Sequence, residues 1–337
     1  MWTTSLRLAR SRPSVRRALT LRRAAYLASA AAALVSLAAC QDDPAAPERA
    51  RSAAPSLYVA PTSTDIVFSR KDAQGKWQLF SMAPDGTGLR QLTTGSTDHR
   101  DPARSPDYSK IAYVETPAGA LNSHLVVMNA DGSNPQVVTG FFSKLTHPSF
   151  SADGLTLAFS AAPWTASGPA PYAQIFTVPA QFGGVPKRIT QDSYENLLPA
   201  WRGSSFISYL GGPATDRGIY DITANGSSAP VRYVSGGGGD ISDFTLSKDG
   251  TKLALVFYHK RYIQVHDWVA YTGNVIYMTQ LSSQTVSQLS FSADGKQLAF
   301  ISTFYGLDNM ARIASTGGAT YTLTSDVVPD AGPAWGR

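Results

Sequence analysis

Residues 292–301 read Ser-Ala-Asp-Gly-Lys-Gln-Leu-Ala-Phe-Ile, a tight-turn signal set directly against a four-residue apolar run. Asp-Gly between alternating apolar segments predicts a hairpin, because glycine takes the positive φ that a primed turn requires. The same phrase stands upstream as SKDGTK at 247–252, SADGLT at 151–156 and SPDYSK at 105–110. The apolar runs IVFS (66–69), IAYV (111–114), LAFS (157–160), ISYL (207–210), LALV (253–256) and LAFI (298–301) begin 45, 46, 50, 46 and 45 residues apart. Six copies at so regular a period mark a chain built from repeats.

Each copy continues in the same order. A second apolar run follows the first, as in LFSM (79–82), LVVM (125–128), IFTV (175–178) and IYDI (219–222), and turns such as PDGTG, ADGSN and ANGSS come after it. A shorter third run and a fourth that re-enters the next hairpin complete the unit. In the fifth unit, spacing assigns 262–268 to the second outer strand and 274–279 to the third. Four short strands per unit of about 46 residues is the arithmetic of a propeller blade. The sequence therefore predicts an all-β fold, a six-bladed β-propeller of four-stranded blades over residues 64–337. The final stretch Gly332-Pro333-Ala334-Trp335-Gly336 is an isolated inner-strand sequence. It is expected to join the N-terminal blade and so remove the exposed edge an open ring would leave. The fourth hairpin, Arg202-Gly203-Ser204-Ser205, departs from the pattern, while Trp201 and Trp335 fall at equivalent places and are expected to pack between blades.

These repeats resemble those of the TolB family, on the strength of Pro102-Ala103-Arg104-Ser105-Pro106-Asp107, Met128-Asn129-Ala130-Asp131-Gly132, Pro199-Ala200-Trp201 and Phe291-Ser292-Ala293-Asp294-Gly295-Lys296. The resemblance implies a cell-envelope propeller that binds a protein or a peptidoglycan-linked partner, in the manner of the Tol system. It is partial, because the 24 residues at 40–63 are too few for the α/β domain that precedes the propeller in TolB.

The front of the chain is of another kind. The 337 residues carry a formal charge of +5, but seven arginines and no acidic residue fall within 1–39, so residues 40–337 hold 22 basic residues against 24 acidic ones. A basic surface suited to nucleic acid is thereby excluded. The apolar stretch 24–37 has the length of a signal-peptide core and is too short to span a bilayer. It ends in Leu37-Ala38-Ala39-Cys40, which resembles the lipobox of bacterial lipoproteins, and Cys40 is the single cysteine. The resemblance implies cleavage between Ala39 and Cys40, lipid attachment at Cys40 and a stable membrane anchor. Gln41 resembles the residue that permits outer-membrane sorting. Residues 40–63, rich in Ala, Pro and charge, read as a flexible tether to a monomeric propeller facing the periplasm or the cell surface.

In a propeller, the loops that lead into the inner strands open around the central channel. On them the sequence places Asp98, His99, Asp101, His147, Glu195, Asp240, Asp243 and Asp330, with Trp164 and Tyr172 in the long Pro-rich loop AAPWTASGPAPYA. Three readings stand side by side. Such aspartates cap their own backbone as Asx-turns; oxygens converging from several blades hold a cation such as Ca2+; or an acidic mouth with aromatic anchors recognises a partner. The five histidines lack metal-ligand spacing and no GxSxG elbow is present, which favours a binding module over an enzyme. The alternative is a carbohydrate-active enzyme of lyase or glycosidase type with a metal in the channel.

Overall fold

The apolar runs are long enough for one strand each and too apolar to face water, so each must be covered on both sides. Ile111, Ala112, Tyr113 and Val114 are all at most 3% exposed. The computed structural model describes residues 64–337 apart from 166, 236–240, 258, 268, 270, 271, 280, 282, 305 and 337. The signal segment, Ala39, Cys40, the tether and Asp240 thus lie outside the described residues.

The described residues form six four-stranded antiparallel units. Blade 1 orders Asp330–Ala334, Ile66–Lys71, Trp77–Met82 and Arg90–Gln91 from the inside out. The C-terminal strand thereby lies against the first strand of the described fold, pairing Val67 with Ala334 and Arg70 with Asp330. Blade 2 runs through Asp98–Arg104, Lys110–Thr116, Asn122–Asn129 and Gln136–Val137, and blade 3 through Phe142–Phe150, Thr156–Ala162, Gln174–Pro179 and Lys187–Arg188. Blades 4, 5 and 6 start on the inner strands Leu197–Arg202, Asp243–Leu246 and Thr285–Phe291. In blade 5, Tyr262–Asp267 and Thr272–Met278 are the second and third outer strands that spacing assigned. A pairing of Asn122 with Ser143 and Ser123 with Phe142 links blades 2 and 3 into one eight-stranded sheet.

Six buried clusters lie between successive blades. Between blades 2 and 3, Val114, Leu125 and Val127 meet Leu157, Phe159 and Phe176. Between blades 6 and 1, Ala299, Ile301 and Met310 meet Ile66, Phe68 and Trp335. Trp201 packs in the same way between blades 3 and 4, donating its indole N–H to the Ser149 carbonyl at 3.1 Å, while Trp335 donates to Thr64 O at 2.7 Å. A buried indole thus finds the acceptor it needs in the neighbouring backbone.

The hairpins differ from the primed turn expected of Asp-Gly. In all four Ser-x-Asp turns the serine carbonyl accepts the N–H of the residue three places on, and the aspartates do not take positive φ. Only the fourth residue is left-handed, as in a type I turn closed by an αL residue. The side chains explain the motif. Ser292 Oγ donates to Asp294 Oδ1 at 2.7 Å and accepts the Gln297 N–H at 2.9 Å, and Asp294 Oδ1 accepts the Lys296 N–H at 3.1 Å. Ser105, Ser151 and Ser247 repeat this arrangement with Asp107, Asp153 and Asp249. The hairpin aspartates thus cap the backbone of their own turns. Hydrogen bonds from Ser105 and Ser109 hold the Asp107 carboxyl down at about 2.

Candidate functional site

An inner strand has one edge in its sheet and one facing the channel, where an N–H would find no ladder partner. Proline suits that edge, and Pro102, Pro148, Pro199 and Pro333 occupy one register on four of the six inner strands. The residue before each of them is left-handed: Asp101 (φ 50°), His147 (52°), Leu198 (56°) and Gly332 (58°), with Gln288 (56°) at the same level in blade 6. The pairing register shifts beside these positions, which marks a recurrent bulge. Asp243 completes the level in blade 5. These six residues, and the two that follow each, enclose a cavity of about 120 Å3 on the channel.

Hydrogen bonds run around this level from blade to blade. Asp101 Oδ2 accepts the His147 N–H at 3.2 Å, Asp243 accepts the Gln288 N–H, and Gln288 Oε1 accepts the Gly332 N–H at 2.9 Å. The bulge turns each N–H away from its own sheet, and the preceding blade supplies the acceptor. Burial pushes the Asp243 carboxyl up to about 6, against the opposing effects of His147 and the Gln288 N–H. His147 Nδ1 is buried and has no hydrogen-bond partner.

The other residues singled out from the sequence do not line this cavity. Asp98 accepts the Trp77 N–H at 3.1 Å, tying blade 2 to blade 1. His99, two residues ahead of the channel level, is buried: its Nδ1 meets Gln78 Oε1 at 2.9 Å and its Nε2 meets Glu115 Oε2 at 3.0 Å. Glu115 also meets His124 Nε2 at 3.1 Å, and these imidazole contacts hold its carboxyl down at about 2. Asp330 is buried beside Arg70, with Nε to Oδ1 at 3.7 Å, and accepts from Thr324 Oγ1. Burial pushes its carboxyl up to about 6, the neighbouring Asp326 and Asp308 adding to the shift. Most of the acidic groups around the mouth are therefore ties within or between blades. Among the described residues, no three His, Cys, Asp or Glu side chains come together as a metal site.

The aromatic residues present a different picture. Trp164 and Thr165 pair with Gly168 and Pro169 in a small hairpin within the long loop. Trp164, Tyr172, Tyr194 and Phe141 are exposed on the loop side of blades 2 to 4. Lys144 Nζ fastens this region, donating to Pro171 O at 2.7 Å and to Glu195 Oε1 at 2.8 Å, while Glu195 Oε2 accepts the Ala173 N–H at 2.8 Å. The Phe141 ring stands edge-on to His124, with centroids 5.0 Å apart. Sequence reasoning missed Leu198 as a channel residue. Aligning the inner strands on their shared prolines would have found Leu198.

A family model described as TolB beta propeller domain matches residues 60–337. Dipeptidyl-peptidase 5 of Porphyromonas endodontalis is 24% identical over 266 residues, which make up 72% of this chain and 36% of that enzyme, so the chain spans about a third of the relative's length. Among solved structures, TolB from Acinetobacter baumannii superposes with a TM-score of 0.66 at 21% identity, covering 82% of this chain and 68% of that one. An oligogalacturonate lyase in complex with manganese gives a TM-score of 0.53 at 16% identity, covering 77% of this chain and 73% of that one. At these identities the structural likeness concerns the fold, and function has to be argued from the site.

Proposed function

This chain belongs to the TolB β-propeller domain family, and on that premise we propose that it is a lipid-anchored envelope module that binds a protein partner, itself free or peptidoglycan-linked, on the loop face of its channel. The observation that carries this reading is the set of exposed aromatics at 141, 164, 172 and 194, on loops pinned by Lys144 and Glu195. Large aromatic side chains on loops that are already held lose little freedom on binding and are the residue types that dominate binding energy at interfaces. The carboxylates beside them are mostly committed to structural hydrogen bonds, which favours their role as scaffold over one in acid–base chemistry. Attachment through Cys40 and residence at the outer membrane belong to the same proposal, supported by the sequence at 37–41.

Cross-linking in intact envelopes followed by affinity capture tests it. The partner recovered with the wild-type chain is expected to be lost with the double variant Trp164→Ala, Tyr172→Ala and kept with Asp153→Asn on the opposite face. Equal recovery from all three chains would reject the site. Labelled fatty acid should enter the wild type and not Cys40→Ala.

A further inference from the structure

Three of the four Ser-x-Asp turns carry glycine at the left-handed position, Gly154 (φ 72°), Gly250 (71°) and Gly295 (65°). The fourth carries Tyr108 at φ 63°. A bulky residue in that region is a backbone outlier, and such strain persists where the surroundings hold the residue in place for another purpose. Nothing in the turn itself asks for a tyrosine, since Ser105 and Asp107 bond as their counterparts do.

Two cations stand over the ring of Tyr108. The Arg104 guanidinium is 4.8 Å from its centroid and the Lys248 ammonium 4.6 Å. Lys248 Nζ also donates to the Pro106 carbonyl at 2.7 Å and lies 3.4 Å from Tyr108 Oη. Arg104 and Tyr108 belong to blade 2, whereas Lys248 belongs to the hairpin of blade 5, three blades away around a six-membered ring. A side chain that joins opposite blades has to cross the channel. A second cavity, of about 100 Å3, lies there and is lined by Arg104, Phe150, Gly203, Lys248 and Gly336 among others, residues of five different blades.

We propose that Tyr108 and Lys248 form a latch across the hairpin end of the channel, so that the channel is a pocket entered from the loop face alone. The latch decides which face a ligand can use, whatever that ligand is, and it stands independently of the partner reading above. The charge there is opposite to that of the other end: Arg104 and Lys248 line the cavity at the latch, while Asp101 and Asp243 stand at the loop-side level. Lys248 is exposed and Tyr108 half-buried, so the contact is solvated and can open without disturbing the cores between the blades.

The charge difference supplies the test. Thr245→Cys places a thiol on the channel wall, in the full chain with Cys40→Ser, and its modification is timed with an anionic and a cationic methanethiosulfonate of similar size. Opening the latch by Tyr108→Gly, or separately by Lys248→Met, is expected to raise the anionic rate at least tenfold and to change the cationic rate, set at the acidic end, less than twofold. Lys248 is a surface side chain, so its variant keeps the test decisive if Tyr108→Gly misfolds. An unchanged anionic rate in folded variants would overturn the latch, as would an equal rise for both reagents, which would mean a general loosening of the ring.

Discussion

At the loop-side end of the channel each tie joins neighbours: Asp101 to the backbone of the next blade, Asp243 to the next, and Gln288 to the next again. At the hairpin end, Lys248 skips two blades and meets the opposite one. Ties between neighbours act together with the apolar clusters and fix the radius of the ring. A tie across the diameter adds little to that and acts on the opening itself. The first kind should therefore show in stability, and the second in access.

The largest effect is expected where neighbour packing is removed. Trp335→Ala empties a buried site between blades 6 and 1 and should cost about 3–5 kcal/mol, read as a fall in the urea midpoint. Next comes Asp243. Its folded pKa lies at about 6, above the ordinary carboxylate value of 3.8, so the native state binds a proton more tightly than the unfolded one, and stability falls as pH rises from about 4 through 6. Asp243→Asn keeps an acceptor for the Gln288 N–H and removes that penalty. It should stabilise the protein by up to about 3 kcal/mol at pH 8, with the difference vanishing below about pH 4, as unfolding at the two pH values would show. Asp294→Ala breaks the bonds of one hairpin turn and should cost about 1 kcal/mol. The smallest stability change is expected at the latch. In Tyr108→Gly, relief of a left-handed residue worth roughly 1–2 kcal/mol offsets the cation–π contacts, roughly 0.5–1 kcal/mol to the exposed Lys248 and about 2 kcal/mol to the buried Arg104. A loss above 2 kcal/mol would make Tyr108 a structural residue like Trp335 and erase the distinction between the two ends.

Much of the fold was legible because its signals are local. The period of the apolar runs, the Ser-x-Asp-Gly turns and the isolated strand around Trp335 each depend on residues close in sequence. The positions of the candidate residues were less legible. His99 and Asp101 are two residues apart, yet His99 is buried against Gln78 and Glu115 while Asp101 lines the channel. A bulge between Arg100 and Ala103 shifts the register there, and a shift of one residue exchanges the faces of a strand. The expected primed turn failed for a related reason: Asp-Gly fits either turn, and the Ser292 hydroxyl, bonded to both Asp294 and Gln297, selects the type I form.

Period and turn chemistry are written in neighbouring residues, and they were enough to set the number of blades, the order of strands within them and the place where the ring closes. Which carboxylates face the channel, which bind the blades together, and that Lys248 meets a turn 142 residues distant in the chain were settled at the level of the assembled fold. Those outcomes depend on the curvature that brings opposite blades together, a property of the closed ring that no single repeat contains.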